Sequence, residues 1–549
     1  MCDFETKPAF TAKEVYSLSL AFQMSCYKGD DEKTAATVRS APPAAKSKHM
    51  LCLHLGAHLI LLVAALDSLV LATHFSFRFE QLAYMDHYRY QANGFWVGQF
   101  DLHDDYGISM GPVVDSENYR GKAYLAYGPL PAVFQLALNH WLYLNVPSSS
   151  IVWALTVATL YCTYWLAFTF ATFVHGVTDG LAVILAAGLC LGIATYQFVH
   201  MSVVPFAWAQ ADVTGQLCVV LAVWSLLNYY RRRQGRFVAL AGLGAGCGFL
   251  CKQNYILVML PMAAFLLLER PAGSRLVRRL KRQVAWFAVP VLCCVVVLML
   301  WNSLRFDSPF ETGNRFANTT EVSPPYWASP RLHRVPYNFY NHFLAGARIR
   351  FDDFPLLVGL SKTFGTMNQQ DGSGGLLHDY KMFSAFLAIP LLAVLPLYSM
   401  RVAWNFFRHR QLALEDRWWC FLIAVAASAF MLYFGLDSSW IRYQYDFLFC
   451  AALAVLSALL SAGAILRDRW RPRQRAFAMA ACGVFVGLAF LWQTAVGIDQ
   501  SLGVLFATAH PYIFRLAIAW PSDDAFREKA HKLRSELANS HGRRPGARP

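Results

Sequence analysis

Apolar residues run in long blocks along this chain rather than alternating with polar ones. Blocks at about 51–73, 127–144, 151–173, 284–301, 382–400, 417–436, 444–465 and 476–497 are each near the roughly 20 residues that carry a helix across the hydrocarbon core of a bilayer. Two further apolar stretches, 178–229 and 237–270, are interrupted by polar residues. The pattern predicts an all-α polytopic membrane protein. Residues 1–48 are mixed and polar, with Pro42-Pro43 and several lysines, and read as a cytoplasmic tail. The first apolar block is too long for a signal-peptide core, so no leader is expected. The membrane domain covers 49–500, and 501–549 is a C-terminal segment and tail.

Charge sets the expected orientation. Basic runs stand at Arg231-Arg232-Arg233, at 275–282 (RLVRRLKR), at 401–410 and at 467–475 (RDRWRPRQR). Lys and Arg concentrate in cytoplasmic loops, so all four runs belong on the inner side. With the N-terminus inside, 74–126 is a first outer loop. Segments 127–144 and 151–173 cross twice, so 175–180 is outside again. Arg231 is inside, so 178–229 then crosses an odd number of times, although hydropathy alone suggests two spans. Pro205 and the polar stretch 209–216 are the candidate breaks. Stretch 237–270 crosses twice with a break near Lys252-Gln253-Asn254, which places Lys252 on the outer side. A second large outer loop covers 302–381. The expected total is about 13 crossings. No internal repeat is visible.

Composition narrows the function classes. Hydrophobic residues make up 56% of the 549 and charged residues 15%, against roughly 25% charge in ordinary soluble domains. This excludes a disordered chain and a conventional soluble enzyme. The net charge of +14 reports topology, because the basic runs sit between apolar blocks; nucleic-acid binding is not expected. The 13 cysteines are scattered and form no CxxC pair, so neither a disulfide framework nor a zinc finger is expected. There is no Walker A sequence, no GxSxG, no HExxH and no DxD. No metal site or other cofactor is indicated.

Candidate chemistry gathers in two places. The first outer loop carries Phe75, Phe77, Phe79, Tyr84, Tyr88, Tyr90, Phe95, Trp96 and Phe100, the composition of helices lying at the membrane interface. Within it, Asp86-His87-Tyr88-Arg89-Tyr90 offers a carboxylate just outside a spanning helix. Such a group can act as a general base if held within hydrogen-bond reach of a hydroxyl; the bland reading is a solvated loop aspartate. Asp104, Asp105, Asp115 and Glu117 read as solvated loop charges. The second place is at membrane depth, where ionisable groups are costly and mark function: Asp212 in WAQADVTGQ, Lys252 after GLGAGCGFLC, and Arg442 with Asp446 one turn later. Each has a structural alternative. Asp212 can cap a helix, Lys252 can snorkel to the interface, and Arg442 and Asp446 can form an i,i+4 pair.

Taken in order, these landmarks resemble a family. Asp86-His87, Gly98-Gln99-Phe100, Gly121-Lys122-Ala123-Tyr124 and Tyr127-Gly128-Pro129-Leu130-Pro131 are followed by Asp212, by GLGAGCGFLCKQNYILVMLP with Lys252, and by Arg442-Tyr443 at a helix entry. Over roughly 50–500 the organisation resembles that of GT-C membrane glycosyltransferases, nearest in pattern to protein O-mannosyltransferases and lipid A aminoarabinose transferases. The chain departs from those relatives with His87 where they usually carry Glu, Ala126 where many carry an acid, and Asn254 in place of Gly after the lysine. The resemblance implies a GT-C-like helix bundle. It implies transfer of a sugar from a polyprenyl-phosphate-linked donor at the outer face, with inversion, to a lipid, glycan or protein acceptor. Under it Asp86 is the catalytic base, and Lys252, Arg442 and Arg89, with Arg315 as a weaker candidate, stabilise the donor phosphate. His87, Tyr88, Tyr90, Tyr127, Asp212 and Tyr443 shape the site, with the second loop (ETGNRFANTTEVSPPYW) on the acceptor side. A transporter or flippase, and an inactive protein of the same fold, are the competing readings. The expected location is a bacterial inner membrane, with the endoplasmic reticulum as the alternative.

Overall fold

The computed structural model describes residues 46–73, 79, 86–110, 116–125, 127–144, 146–193, 207–268, 276–313, 316–318, 335–344, 347–349, 357–359, 385–409, 412–431 and 442–469, with isolated positions from 471 to 496. The chain divides into two compact units, Met1–Cys52 and Leu53–Pro549, the first described only over 46–52. Its helices are α1 (Lys46–Ala72), α2 (His87–Trp96), α3 (Leu130–Leu136), α4 (Ser148–Val174), α5 (Asp179–Ile193), α6 (Ala207–Arg232), α7 (Gly235–Cys251), α8 (Met259–Leu268), α9 (Leu276–Phe306), α10 (Val335–Phe339), α11 (Ala385–Ala388), α12 (Val394–His409), α13 (Leu414–Met431) and α14 (Arg442–Arg469). Strand β1 (Ser116–Tyr119) pairs antiparallel with β2 (Lys122–Leu125) and with the short β3 (Ala317–Asn318). A second ribbon joins β4 (Ala347–Ile349) and β5 (Leu357–Gly359).

Among the described residues five helices are long and apolar enough to cross a membrane: Met50–Val70, Ser148–Val174, Ala209–Arg232, Arg282–Phe306 and Asp446–Ala464. Shorter apolar helices cover Gly180–Cys190, Gly235–Cys251 and Gln253–Leu268. The 127–144 block is not a spanning helix. It is the seven-residue α3, extended by one turn of π-helix over Ala137–Trp141. Polar residues inside the block fold it back: Gln135 Nε2 donates to the Val146 carbonyl at 2.8 Å, and Val146 N donates to Asn139 Oδ1 at 2.8 Å.

Glycine spacing packs the centre of the bundle. In α7, Gly242 and Gly246 face α9, where an added Cβ would lie 2.2 Å from the Phe287 carbonyl and 2.7 Å from Cys294 Sγ. Gly244 faces α6 in the same way, 2.8 Å from the Cys218 carbonyl. Small residues let helix backbones approach closely where lipid supplies no hydrophobic drive for association.

The contacts also define two ends. At one end His175 bonds Ser457 (3.0 Å), Tyr230 meets Trp418, and Tyr398 donates to the buried Asp416 (2.8 Å). Arg231 and Arg232 close α6 at this end, and Arg401 lies over the Tyr398 ring. The other end gathers α2, the β1–β2 hairpin, α3, the starts of α4, α6 and α14, and the turn that follows α7.

Candidate active site

Asp86 immediately precedes α2. Its Oδ1 accepts from the backbone N–H of Ser148 at 3.0 Å, in the first turn of α4. Pro147 precedes that turn, and the free amides and dipole of a helix N-terminus favour a carboxylate there. Asp86 is only 3% exposed. Burial raises its carboxyl above the ordinary range, while Ser148, Arg89 and His87 pull it down. It is therefore not the solvated aspartate of the bland reading.

Arg89 lies 3.9 Å from Asp86 and donates to Asp105 Oδ2 at 2.8 Å. Asn93 donates to the other Asp105 oxygen at 3.1 Å. The α2 helix is thus anchored on the 101–110 turn, and Arg89 is buried with two carboxylates beside it. Tyr88 is fully buried in a cluster with Tyr90, Leu102, Ala123, Leu125, Ala132 and Ala211, against which Tyr127 packs. Its hydroxyl has no hydrogen-bond partner among the described residues. Burial pushes that phenol well up, and Cys251, Tyr127, Asp212 and Arg305 are the charges and dipoles it senses. Burial also raises Tyr90, to about 12. His87 is buried on the same helix.

Lys252 follows α7 in extended conformation. Its ammonium forms ion pairs with Asp212 and, at 2.9 Å, with Asp446. Asn254 Nδ2 donates to Asp446 at 3.1 Å and to the Ala429 carbonyl at 3.1 Å, and the Tyr255 hydroxyl donates to Asp446 at 2.8 Å. Gly215, one turn beyond Asp212, gives the Tyr255 ring its room, since a Cβ there would fall 2.4 Å from the ring. Asp446 is therefore tied to Lys252, and Lys252 is held between two acids rather than reaching for the interface. The loop motif Tyr127-Gly128-Pro129 docks directly on this turn. Gly128 N donates to the Cys251 carbonyl at 3.1 Å, and a Cβ on Gly128 would lie 1.9 Å from the Leu250 carbonyl.

The structure thus brings Asp86, Arg89, Tyr88, Tyr90, Tyr127, Asp212 and Lys252 to one end of the bundle. Arg442 and Tyr443 open α14 one turn before Asp446, but their side chains lie outside the described set, as does Arg315. One expectation is corrected. Glu117 is not solvated: it is 0% exposed and accepts from Arg305 at 3.2 Å. Arg305 also donates to the Leu125 carbonyl at 2.5 Å and to Asn302 at 2.8 Å, and lies over the rings of Trp301 and Phe306. Burial raises Glu117 to about 8 against the pull of Arg305. Gly313, at φ +86, abuts the Glu117 carboxyl, where no side chain fits. The sequence signal for this pair was an arginine in the last turn of an apolar block. Among the described residues no three His, Cys, Asp or Glu side chains are grouped to hold a metal.

Residues 137–301 match the family model of dolichyl-phosphate-mannose-protein mannosyltransferase. This stretch includes Asp212 and Lys252, and over it the glycosyltransferase resemblance read from the motifs stands. Asp86 and Arg442 lie outside it. Among solved structures the chain is similar to the Archaeoglobus fulgidus oligosaccharyltransferase in its apo form, at 15% identity and TM-score 0.47, covering 82% of this chain and 56% of that one. It is also similar to archaeal oligosaccharyltransferase AglB from Archaeoglobus fulgidus in complex with an inhibitory peptide and a dolichol-phosphate, at 14% identity and TM-score 0.40, covering 82% and 56%. A third is the same organism's oligosaccharyltransferase tethered with an acceptor peptide containing the NVT sequon, at 14% identity and TM-score 0.40, covering 82% and 55%. The chain spans about half the length of these structures (55–56%). No curated protein matches it.

Proposed function

We propose that this chain transfers a hexose or pentose from a polyprenyl-phosphate-linked donor to an acceptor hydroxyl at the outer membrane face, with inversion. The observation that carries the reading is the buried Asp86 at the α4 N-terminus, at the same bundle end as the Asp212–Lys252 pair within the mannosyltransferase-like stretch. The acceptor oxygen attacks the anomeric carbon on the face opposite the phosphate. The bond from that carbon to the phosphate oxygen breaks, polyprenyl phosphate leaves as an anion, and the hydroxyl proton passes to Asp86. A phosphate monoester needs positive charge more than a proton, so cations in a water-poor site supply most of the stabilisation.

Lys252 is shared by two carboxylates at rest. The donor phosphate therefore competes with Asp212 and Asp446 for the ammonium, and Arg442, at the start of the same helix as Asp446, is the second cation. Arg89 faces Asp86 and Asp105, and its role is to bias the base toward its anion. Tyr88 offers its hydroxyl to the bound substrates. Acceptors in this reading are lipids, glycans or proteins, and the membrane is a bacterial inner membrane.

Asp86→Asn tests the reading. Envelope glycans, lipids and glycoproteins are compared by mass spectrometry in cells lacking the gene, complemented with wild type or with the variant. The wild type restores a missing sugar. The variant does not, although it still folds and binds polyprenyl phosphate. Restoration by Asp86→Asn overturns the assignment, and a transporter reading would then gain.

A further inference from the structure

A buried base faces a problem that an exposed one does not. When it takes a proton, its partners must change roles, or a polar group is left unpaired at a cost of about 1–3 kcal/mol. Asp86 as an anion accepts from Ser148 N at 3.0 Å, and the Ser148 hydroxyl is a further influence drawing its carboxyl down. The same hydroxyl also faces Gln135 Oε1, at 3.3 Å. Ser148 and Gln135 are 1% and 0% exposed, so no water competes at either site. Gln135 cannot turn its amide round, because its Nε2 donates to the Val146 carbonyl at 2.8 Å. Its Oε1 therefore points at Ser148, and it also accepts from Gln210 Nε2 at 3.3 Å. Ser148 has one proton and two acceptors within reach.

We propose that Ser148 and Gln135 form a hydroxyl switch that keeps Asp86 hydrogen-bonded in both of its ionisation states. This rests on the reading of Asp86 as the base. With Asp86 anionic, the Ser148 proton points at the carboxylate and Gln135 Oε1 is held by Gln210. When Asp86 takes the acceptor's proton, its new O–H donates to Ser148 Oγ, and the Ser148 proton turns to the second lone pair of Gln135. The three residues together gain one proton, from the acceptor, and lose none, and no buried group loses its partner. Ser148 and Gln135 are positioning residues, since neither touches the reacting atoms. Gln210 stands two residues before Asp212 on α6, so the switch also ties the base to the Lys252 cluster. The charged or titratable groups facing Asp86 are Arg89, His87 and Tyr90 from its own helix; α3 and α4 present only uncharged Gln135 and Ser148.

The test reads the protonation of Asp86 directly and needs no substrate. Dicyclohexylcarbodiimide labels protonated carboxyls in apolar surroundings, and peptide mass spectrometry of the full chain in nanodiscs follows labelling of Asp86 against pH. Gln135→Leu removes the acceptor that serves the neutral state, so the labelling midpoint falls by about one pH unit. Ser148→Ala removes a partner of both states, of which the bond to the anion is the stronger, so the midpoint rises, by less than about one pH unit. Ser148→Thr keeps the hydroxyl and restores the wild-type midpoint, and Gln135→Met is the second variant at that position should the leucine not fold. A purely structural pair moves both midpoints the same way or not at all, and that result overturns the switch. Transfer that survives Asp86→Asn sinks the base reading separately, because the midpoints do not depend on activity.

Discussion

Glu117 shows how burial changes what a side chain is. In sequence it sits in a polar loop beside Asp115, indistinguishable by neighbours from the exposed Asp105. What sets it apart is long-range: β1 places it against Arg305, 188 residues on. The folded protein keeps its proton up to about pH 8, whereas the ordinary value is 4.5. The folded state thus binds more protons between those values, and stability falls as pH rises across that window, levelling off above it. Thermal melting in detergent from pH 4 to 9 should show that slope, and Glu117→Gln should flatten it. A wild-type slope that survives the substitution would place its origin elsewhere. Asp212 and Lys252 were marked as candidates for the opposite reason, whereas Asp86 was marked by the family resemblance. An ionisable residue beside or within an apolar block is expensive wherever the chain folds, so its type alone marks it. Their uncharged partners were not legible, because Ser148, Gln135 and Asn254 carry no charge and contact residues far along the chain.

Helices were legible as blocks, but their lengths were not always so. The 127–144 block has the hydropathy of a span and the polar side chains of a folded loop. A window average counts Leu130, Val133 and Phe134 and is nearly blind to Gln135, Asn139 and His140, whose hydrogen bonds bend the chain. The glycines of α7 were read as a motif, and the structure gives their physical purpose: one pair faces α9 and the alternate positions face α6. Gly128 does the same for the first loop, seating it on the turn before Lys252. Alanine at Gly242 or Gly128 introduces a methyl within 2.2 Å or 1.9 Å of a backbone carbonyl. Backbone cannot move aside cheaply, so each should cost about 1–3 kcal/mol, seen as a lower melting temperature in detergent. Alanine at Gly56, where a Cβ meets nothing within 4 Å, is the control and should leave melting unchanged. Of the two, Gly128→Ala should also weaken binding of polyprenyl phosphate, because it displaces the turn that carries Lys252.

At the scale of the whole molecule, the loss of one span repairs the topology. Counting 127–144 as a crossing forced three short helices into 178–229 to bring Arg231 inside. With that block folded back into the first loop and the N-terminus placed inside by the charge rule, α1 is expected to lead out and α4 to lead in, so 175–178 is expected inside. Two crossings, α5 and α6, then deliver Arg231 to the inner side, as hydropathy alone suggested. By the same charge rule Lys252 is expected on the outer side, at the bundle end that holds Asp86, and the Arg401 and Arg467 runs on the inner side, so the expected crossings fall by two. The contacts agree with this division, since His175 meets Ser457 at the end that carries Arg401. The two topologies differ on one loop. A cysteine placed at the exposed Thr178 should react with a membrane-impermeant maleimide only from the cytoplasmic side, and one at Tyr106, 89% exposed, only from the outside. Peptide mass spectrometry separates these sites from the native cysteines. Labelling of both from the same side would restore the crossing at 127–144, and with it the three-helix break that the folded-back block makes unnecessary.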